Sequence, residues 1–178
     1  MEHQIASLDE LISQHKALVA TLGRAELKIE LCRRGRLTVR RVEPWHRIAV
    51  TDVFCKLATQ LGPRVALDLP IASPEFGVLV PDIVWMSDER WPGEDIDGAE
   101  PLTVVPDVCV EVLACWETDS FLLADRVSDY LSGGVKEIIV VEEDGTVRFW
   151  GHGGEQVRSA FNIALKLDNL SFRRQCVS

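Results

Sequence analysis

"VPDVCVEVLA", residues Val105 to Ala114, reads as a β-strand that carries an acid where an apolar side chain is expected. With side chains alternating every second residue, Val108, Val110, Val112 and Ala114 form one face and Asp107, Cys109, Glu111 and Leu113 the other. Glu111 therefore interrupts an apolar strand. An ionised carboxylate in such a place costs several kcal/mol unless it is paired, hydrogen-bonded or metal-bound, or unless its pKa rises. A second stretch, "VPDIVWM" from Val80 to Met86, has the same form, with Asp82 leading an apolar run. Two strands that each bring one acid towards a common point would satisfy both.

The flanking segments set the fold class. "ETDSFLLADRVSDYLSGG" places Phe121, Leu122, Ala124, Val127 and Leu131 at helical spacing and stops at Gly133-Gly134. "VKEIIVV" is a buried strand, and "EEDG" turns into "TVRFW". Strand, helix, strand between Val108 and Val141 is the βαβ pattern, which predicts an α/β fold with a mixed sheet flanked by helices. Upstream, "SLDELISQHKALVATLG" opens with Ser7 as N-cap and Glu10 at the capping-box position. Leu8, Leu11, Ile12, His15, Leu18, Val19 and Leu22 then share one helical face, with His15 a packed residue. "ELKIELCRRGRLTVRRV" alternates on both sides of Arg34-Gly35 and predicts a β-hairpin. After Pro44, "WHRIAVTDVFCKLATQLG" returns to helical spacing through Ile48, Val53, Phe54, Leu57, Ala58 and Leu61. "PRVALDLPI" and "LVPDIVWM" around "ASPEFG" predict two more paired strands over residues 64–86. Beyond "TVRFW", a strand and a short edge element are expected.

With 178 residues, 47% of them hydrophobic, the chain suits one domain spanning residues 1–178. No segment approaches about 18 consecutive apolar residues, and the first twenty alternate polar and apolar types, so a cytoplasmic protein without a membrane span is expected. The five cysteines, Cys32, Cys55, Cys109, Cys115 and Cys176, lack CxxC spacing and are expected to be reduced, with Cys55 and Cys109 buried. A net charge of -9 opposes general affinity for nucleic acid. Arg33, Arg34, Arg36, Arg40, Arg41 and Arg47 nevertheless face the single acid Glu43 over residues 33–47. That is either a solvated hairpin or, through Arg40 and Arg41, an edge that contacts phosphate. "SDERWPGEDIDGAE", Ser87 to Glu100, holds six acids and is expected to be an exposed loop.

Taken together, "PDIVWMSDER", "VPDVCVEVLA" and "ADRVSDYLSGGVKEIIVVE" resemble a bacterial restriction-endonuclease family of the PD-(D/E)XK nuclease superfamily. Its pattern is PD with a hydrophobic run, then PDL-x-VEVLSPS, then EK-x-x-x-Y-x-x-x-GV-x-EYW. Asp82 matches the first acid, Glu111 the second, Tyr130 the helix tyrosine, and Gly134, Val135 and Glu137 the approach to the next strand. "ELKIELCRRGRLTV" is similar to the family's YELIDGELVVMSP hairpin, with Glu30 at its acid. The resemblance covers about residues 25–150 and implies a restriction-endonuclease-like core and a homodimer. It further implies a metal-dependent endonuclease in which Asp82 and Glu111 hold Mg²⁺ or Mn²⁺, with Glu30 completing or adjusting the cation site.

The chain departs from that pattern where a lysine would activate water. Leu113 stands two residues after Glu111, and Arg126 stands four before Tyr130, so neither position supplies Lys. Arg126 stays protonated and is no general base, although it can contact phosphate. SPS has become Ala114-Cys115-Trp116, and YW has become Ile138-Ile139. Two readings follow: an endonuclease built on Asp82, Glu111 and Arg126, or a non-catalytic interaction or regulatory protein that keeps the nuclease fold. A plainer account of the acids is that Asp82 caps a strand and Glu111 pairs with Arg126 in the core. No GxSxG or HExxH occurs, and four scattered His make no dyad, which argues against serine or zinc hydrolases.

Overall fold

The computed structural model of the chain describes residues 6–23, 27–93, 96, 100–113 and 120–167. Its centre is the strand that carries Glu111. Both faces of that strand are covered, which is why it reads as nearly continuous hydrophobic sequence. In chain order the elements are α1 (Leu8–Leu22), β1 (Leu27–Cys32), β2 (Leu37–Arg41), α2 (Pro44–Leu61), β3 (Val65–Leu67), β4 (Ile71–Ser73), β5 (Gly77–Leu79), β6 (Ile83–Trp85), β7 (Val108–Val112), α3 (Ser120–Ser132), β8 (Glu137–Val141), β9 (Val147–Gly151) and β10 (Gly154–Gln156). They form a six-stranded sheet of order β10-β9-β8-β7-β6-β3 and a four-stranded sheet of order β2-β1-β5-β4. The pair β7 and β8 is parallel and joined through α3, as the βαβ pattern predicts, while the other pairs are antiparallel.

Period two decides what each face meets. Val108, Val110 and Val112, with Ile139 and Val141 of β8, pack against Ala49, Val50, Val53 and Leu57 of α2. Cys109, Ile138 and Val140 look the other way, towards Val127 and Tyr130 of α3, Phe76 in the β4-β5 turn and Leu79 of β5. Glu111 belongs to this second face. α1 has the predicted capping box of Ser7 and Glu10, and it buries Leu11 and His15. The His15 Nε2 lies 2.9 Å from the Ile29 carbonyl. α2 starts at Pro44 as expected, but its buried stripe is Ala49, Val50, Val53 and Leu57, leaving Ile48 66% exposed. Cys55 is exposed as well, contrary to expectation. It lies two positions from both Val53 and Leu57, about 200° around the helix from each.

Residues 64–86 differ from the expected single pair of strands. Four short strands form instead, with β4 and β5 paired in the small sheet and β3 and β6 in the large one. Pro70 and Pro81 each remove a ladder donor, and Asp68 takes a left-handed φ of 49°, so the chain crosses between sheets on both sides of the β4-β5 hairpin. Gly77 (φ 94°) lets β5 close on β1, because a Cβ there would collide with the Leu31 carbonyl. Through β5, the hairpin that carries Lys28 and Glu30 is fixed against the large sheet. In the acidic loop the described acids Asp88, Glu89 and Glu100 are exposed, while Glu94, Asp95 and Asp97 lie outside the described residues. Arg90 turns back to donate to the carbonyls of Val105, Pro106 and Gly134 at 3.0, 3.1 and 3.1 Å. The tail after β10 has no regular element among its described residues, yet Ile163 and Leu167 join the core. Ala114, Cys115, Trp116, Arg173, Arg174 and Cys176 lie outside the described residues. Among the described residues, no helix is long and apolar enough to cross a membrane.

Candidate active site at the junction of the two sheets

Asp82 and Glu111 come together because β6 and β7 are neighbours. The antiparallel register pairs Ile83 with Val110, and one step further places Asp82 across from Glu111. Both side chains are nearly inaccessible, each residue 3% exposed. Asp82 Oδ2 accepts the Val112 N–H at 2.7 Å and lies 3.5 Å from His46 Nε2, near the start of α2. His46 also binds the Val112 carbonyl at 2.9 Å. Asp82 Oδ1 meets the Lys28 ammonium.

The hairpin delivers three further charges by alternation. Lys28 and Glu30 share one face of β1. Their register partners on β2 are Arg40 and Thr38, so Arg40 belongs to that same face. Arg40 Nη2 stands 3.7 Å from Glu30 Oε1. Arg41, the other predicted phosphate contact, is paired with Leu27, and lies on the opposite face of the ribbon and away from the acids. Leu27, Ile29 and Leu31 are also on that face, with Ile29 and Leu31 buried.

From the remaining side, α3 brings Arg126 and Tyr130, four residues apart and hence on one helical face. Arg126 grips Glu30 with both terminal nitrogens, at 2.8 and 2.7 Å, and donates from Nε to Glu111 Oε1 at 2.7 Å. The Tyr130 hydroxyl donates to the same Glu111 oxygen at 2.5 Å. The guanidinium carbon sits 5.3 Å from the centre of the Tyr130 ring. The bidentate hold on Glu30 explains why arginine serves here, since an ammonium has no such fork. The plainer account of Glu111 therefore describes its partner correctly, and Arg126 is turned towards the acids.

The electrostatics follow from this arrangement. Burial opposes the charge on Glu30, but Arg126 overcomes it and lowers the carboxyl pKa to about 2. Burial is likewise outweighed at Asp82, where Lys28 and His46 hold the carboxyl far below the usual range. Glu111 goes the other way: burial, with the Asp82 charge opposite, keeps it above the usual range despite Arg126. The acids Asp82, Asp68 and Glu111 push the Lys28 ammonium above its ordinary value against the effect of burial. Among the described residues, no three His, Cys, Asp or Glu side chains converge as a metal-ligand set. The expected third ligand, Glu30, is held by Arg126.

Lys28, His46 and Asp68 are the site residues that reading the sequence missed. The signal for Lys28 was its position two residues before Glu30 on a strand, which puts both on one face. Asp107, immediately before β7, has other partners. Its carboxylate accepts the Ser87 N–H at 2.7 Å and the Lys136 ammonium at 2.6 Å, outside the cluster. Asp125 is exposed on α3.

Comparison with known proteins agrees with this architecture. A solved structure described as a putative nuclease belonging to DUF820, from Anabaena variabilis ATCC 29413, is similar with a TM-score of 0.63 and 16% sequence identity. The match covers 94% of this chain and 96% of that one. No curated protein matches. The model of the Uma2 family, described as "Putative restriction endonuclease", matches residues 15–168, which take in α2, all ten strands, α3 and every residue of the acid cluster. The chain belongs to the Uma2 family.

Proposed function

We propose that this protein is a slow metal-dependent endonuclease that hydrolyses phosphodiester bonds in nucleic acid, with Asp82 and Glu111 as its essential carboxylates. The observation that carries this reading is the placement of those two acids opposite one another on adjacent strands, where cations from β1, β2 and α3 converge. Their oxygens are hard donors of the kind that Mg²⁺ and Mn²⁺ prefer, so the donor chemistry fits as a two-carboxylate site. Such a cation supplies a bound water of lowered pKa and positive charge for the scissile phosphate. The chain's own residues do the positioning. Arg126 and Tyr130 fix the Glu111 carboxylate, Val112 N–H and His46 fix Asp82, and Arg40, 30% exposed at the rim, is the cation placed to meet a phosphate.

The slow rate is a consequence of the missing base. Arg126 stays protonated, and Lys28 is held charged by its carboxylate neighbours, so neither takes a proton from water. A second reading, a non-catalytic interaction protein on the nuclease fold, draws on the same pairing: Lys28 and Arg126 already compensate the acids that an enzyme would offer to a cation. Plasmid nicking in Mn²⁺ separates the two. Slow nicking by the wild type, lost in Asp82→Asn and in Glu111→Gln, supports the enzyme. No nicking, together with no Mn²⁺-dependent rise in melting temperature, leaves the non-catalytic reading.

A further inference from the structure

Lys28 is a residue that neither the strand motif nor the helix motif assigns, and three observations about it converge. Its ammonium, on a side chain only 4% exposed, is shared between Asp82 Oδ1 on the inside and Asp68 Oδ1, 3.0 Å away, on a side chain that is 43% exposed. Asp68 is held in place by its own backbone, since its N–H donates to the Asp82 carbonyl at 3.1 Å. A cavity of about 190 Å³ adjoins both residues, lined also by His15, Arg47 and Val80. The lysine thus has two acids to choose from and room beside it in which to move.

We propose that Lys28 is the resident cation of the site: it occupies Asp82 in the metal-free protein and shifts to Asp68 when a divalent cation takes its place. This rests on the cation reading given above. Asp82 Oδ2 is committed to the Val112 N–H, so Oδ1 is the oxygen on offer, and Lys28 is already on it. A buried ammonium cannot simply be released, because an unpaired charge is costly away from water. Asp68, partly in solvent and already 3.0 Å from the same nitrogen, receives it. Lys28 and Asp68 together therefore set how tightly the site takes a divalent cation, independently of any chemistry that follows.

The proposal predicts effects of opposite sign from the two partners. In Mn²⁺ titrations followed by calorimetry, Lys28→Met should bind roughly tenfold tighter than the wild type, the ratio expected from the lower end of measured couplings between close charges. Its melting temperature should fall without metal and recover with Mn²⁺ by more than the wild type gains. Asp68→Asn should bind more weakly, because the displaced ammonium loses its second acid. A lysine that only supports the fold predicts unchanged affinity in both variants, and that result overturns the proposal. If Lys28→Met does not fold, Asp68→Asn, at a partly exposed position, decides alone: unchanged or tighter binding overturns it. Absence of Mn²⁺ binding by every variant would overturn the cation reading above and this inference with it, whereas equal binding by all three overturns this inference only.

Discussion

Asp107 and Glu111 lie four residues apart, on the same face of the same stretch, and both are buried, yet their surroundings drive them in opposite directions. Burial opposes the charge of each. At Asp107 the Lys136 ammonium, the Ser87 backbone N–H and Arg90 outweigh it, and the carboxyl stays below its usual range. At Glu111 the Arg126 guanidinium is offset by the Asp82 carboxylate opposite, and the carboxyl stays above it. The first acid is tied to a loop N–H and to a lysine that is 48% exposed, which are the partners of a structural staple. The second, crowded by burial and a like charge, is held by a half-buried arginine and a buried tyrosine. Strongly perturbed carboxylates of this kind are concentrated at functional sites.

The largest effect should come from removing what makes Glu111 tolerable. Arg126→Met leaves Glu111 without its guanidinium partner and Glu30 with only Arg40, 3.7 Å away, and breaking a buried ion pair in this way costs roughly 3–5 kcal/mol. Chemical denaturation in EDTA should show that loss. A change below about 1 kcal/mol would mean that the two acids are solvated or protonated without Arg126, and the contrast with Asp107 would collapse.

Asp107→Asn should cost less, about 1–3 kcal/mol, because the amide still accepts the Ser87 N–H while losing the charge that Lys136 and Arg90 address. Its stability should not respond to Mn²⁺ any differently from the wild type's. A metal response altered by Asp107→Asn would place that acid in the site and remove the distinction between the two.

The contrast was partly legible in the sequence. Alternation placed Glu111 on the Cys109 face, the Pro-Asp opening marked Asp82, and spacing on α3 aligned Arg126 with Tyr130; each depends on neighbours a few residues away. Lys28 was not legible as a partner of Asp82, because 54 residues separate them and only the pairing of β1 with β5 brings the hairpin to β6. The choice between Arg40 and Arg41 depended on the strand register, where a shift of one residue exchanges the faces. The same kind of ambiguity cost Ile48 its place in the core, since one position on a helix is a turn of about 100°. Residues 64–86 resisted for another reason: local alternation predicts strands but does not say which sheet each joins, and Pro70, Pro81 and Asp68 made that decision.

The smallest effect is also the most discriminating, because its sign differs between the two acids. Asp107 has a lowered folded pKa, so its stabilisation is fully present above the unfolded value, near 3.8, and is lost as pH falls through the folded one. The deficit of Asp107→Asn relative to the wild type should therefore be widest near neutral pH and shrink in acid. Glu111 has a raised folded pKa, so its favourable contribution is present below the unfolded value, near 4.5, and is lost as pH rises through the folded one. Glu111→Gln, which keeps an acceptor for Tyr130 and leaves Arg126 on Glu30, should therefore gain on the wild type as pH rises towards neutral. Both differences are read from urea unfolding at a series of pH values in EDTA. Two curves of the same slope would show that Asp82 does not raise Glu111, and that the two acids of this strand are staples alike.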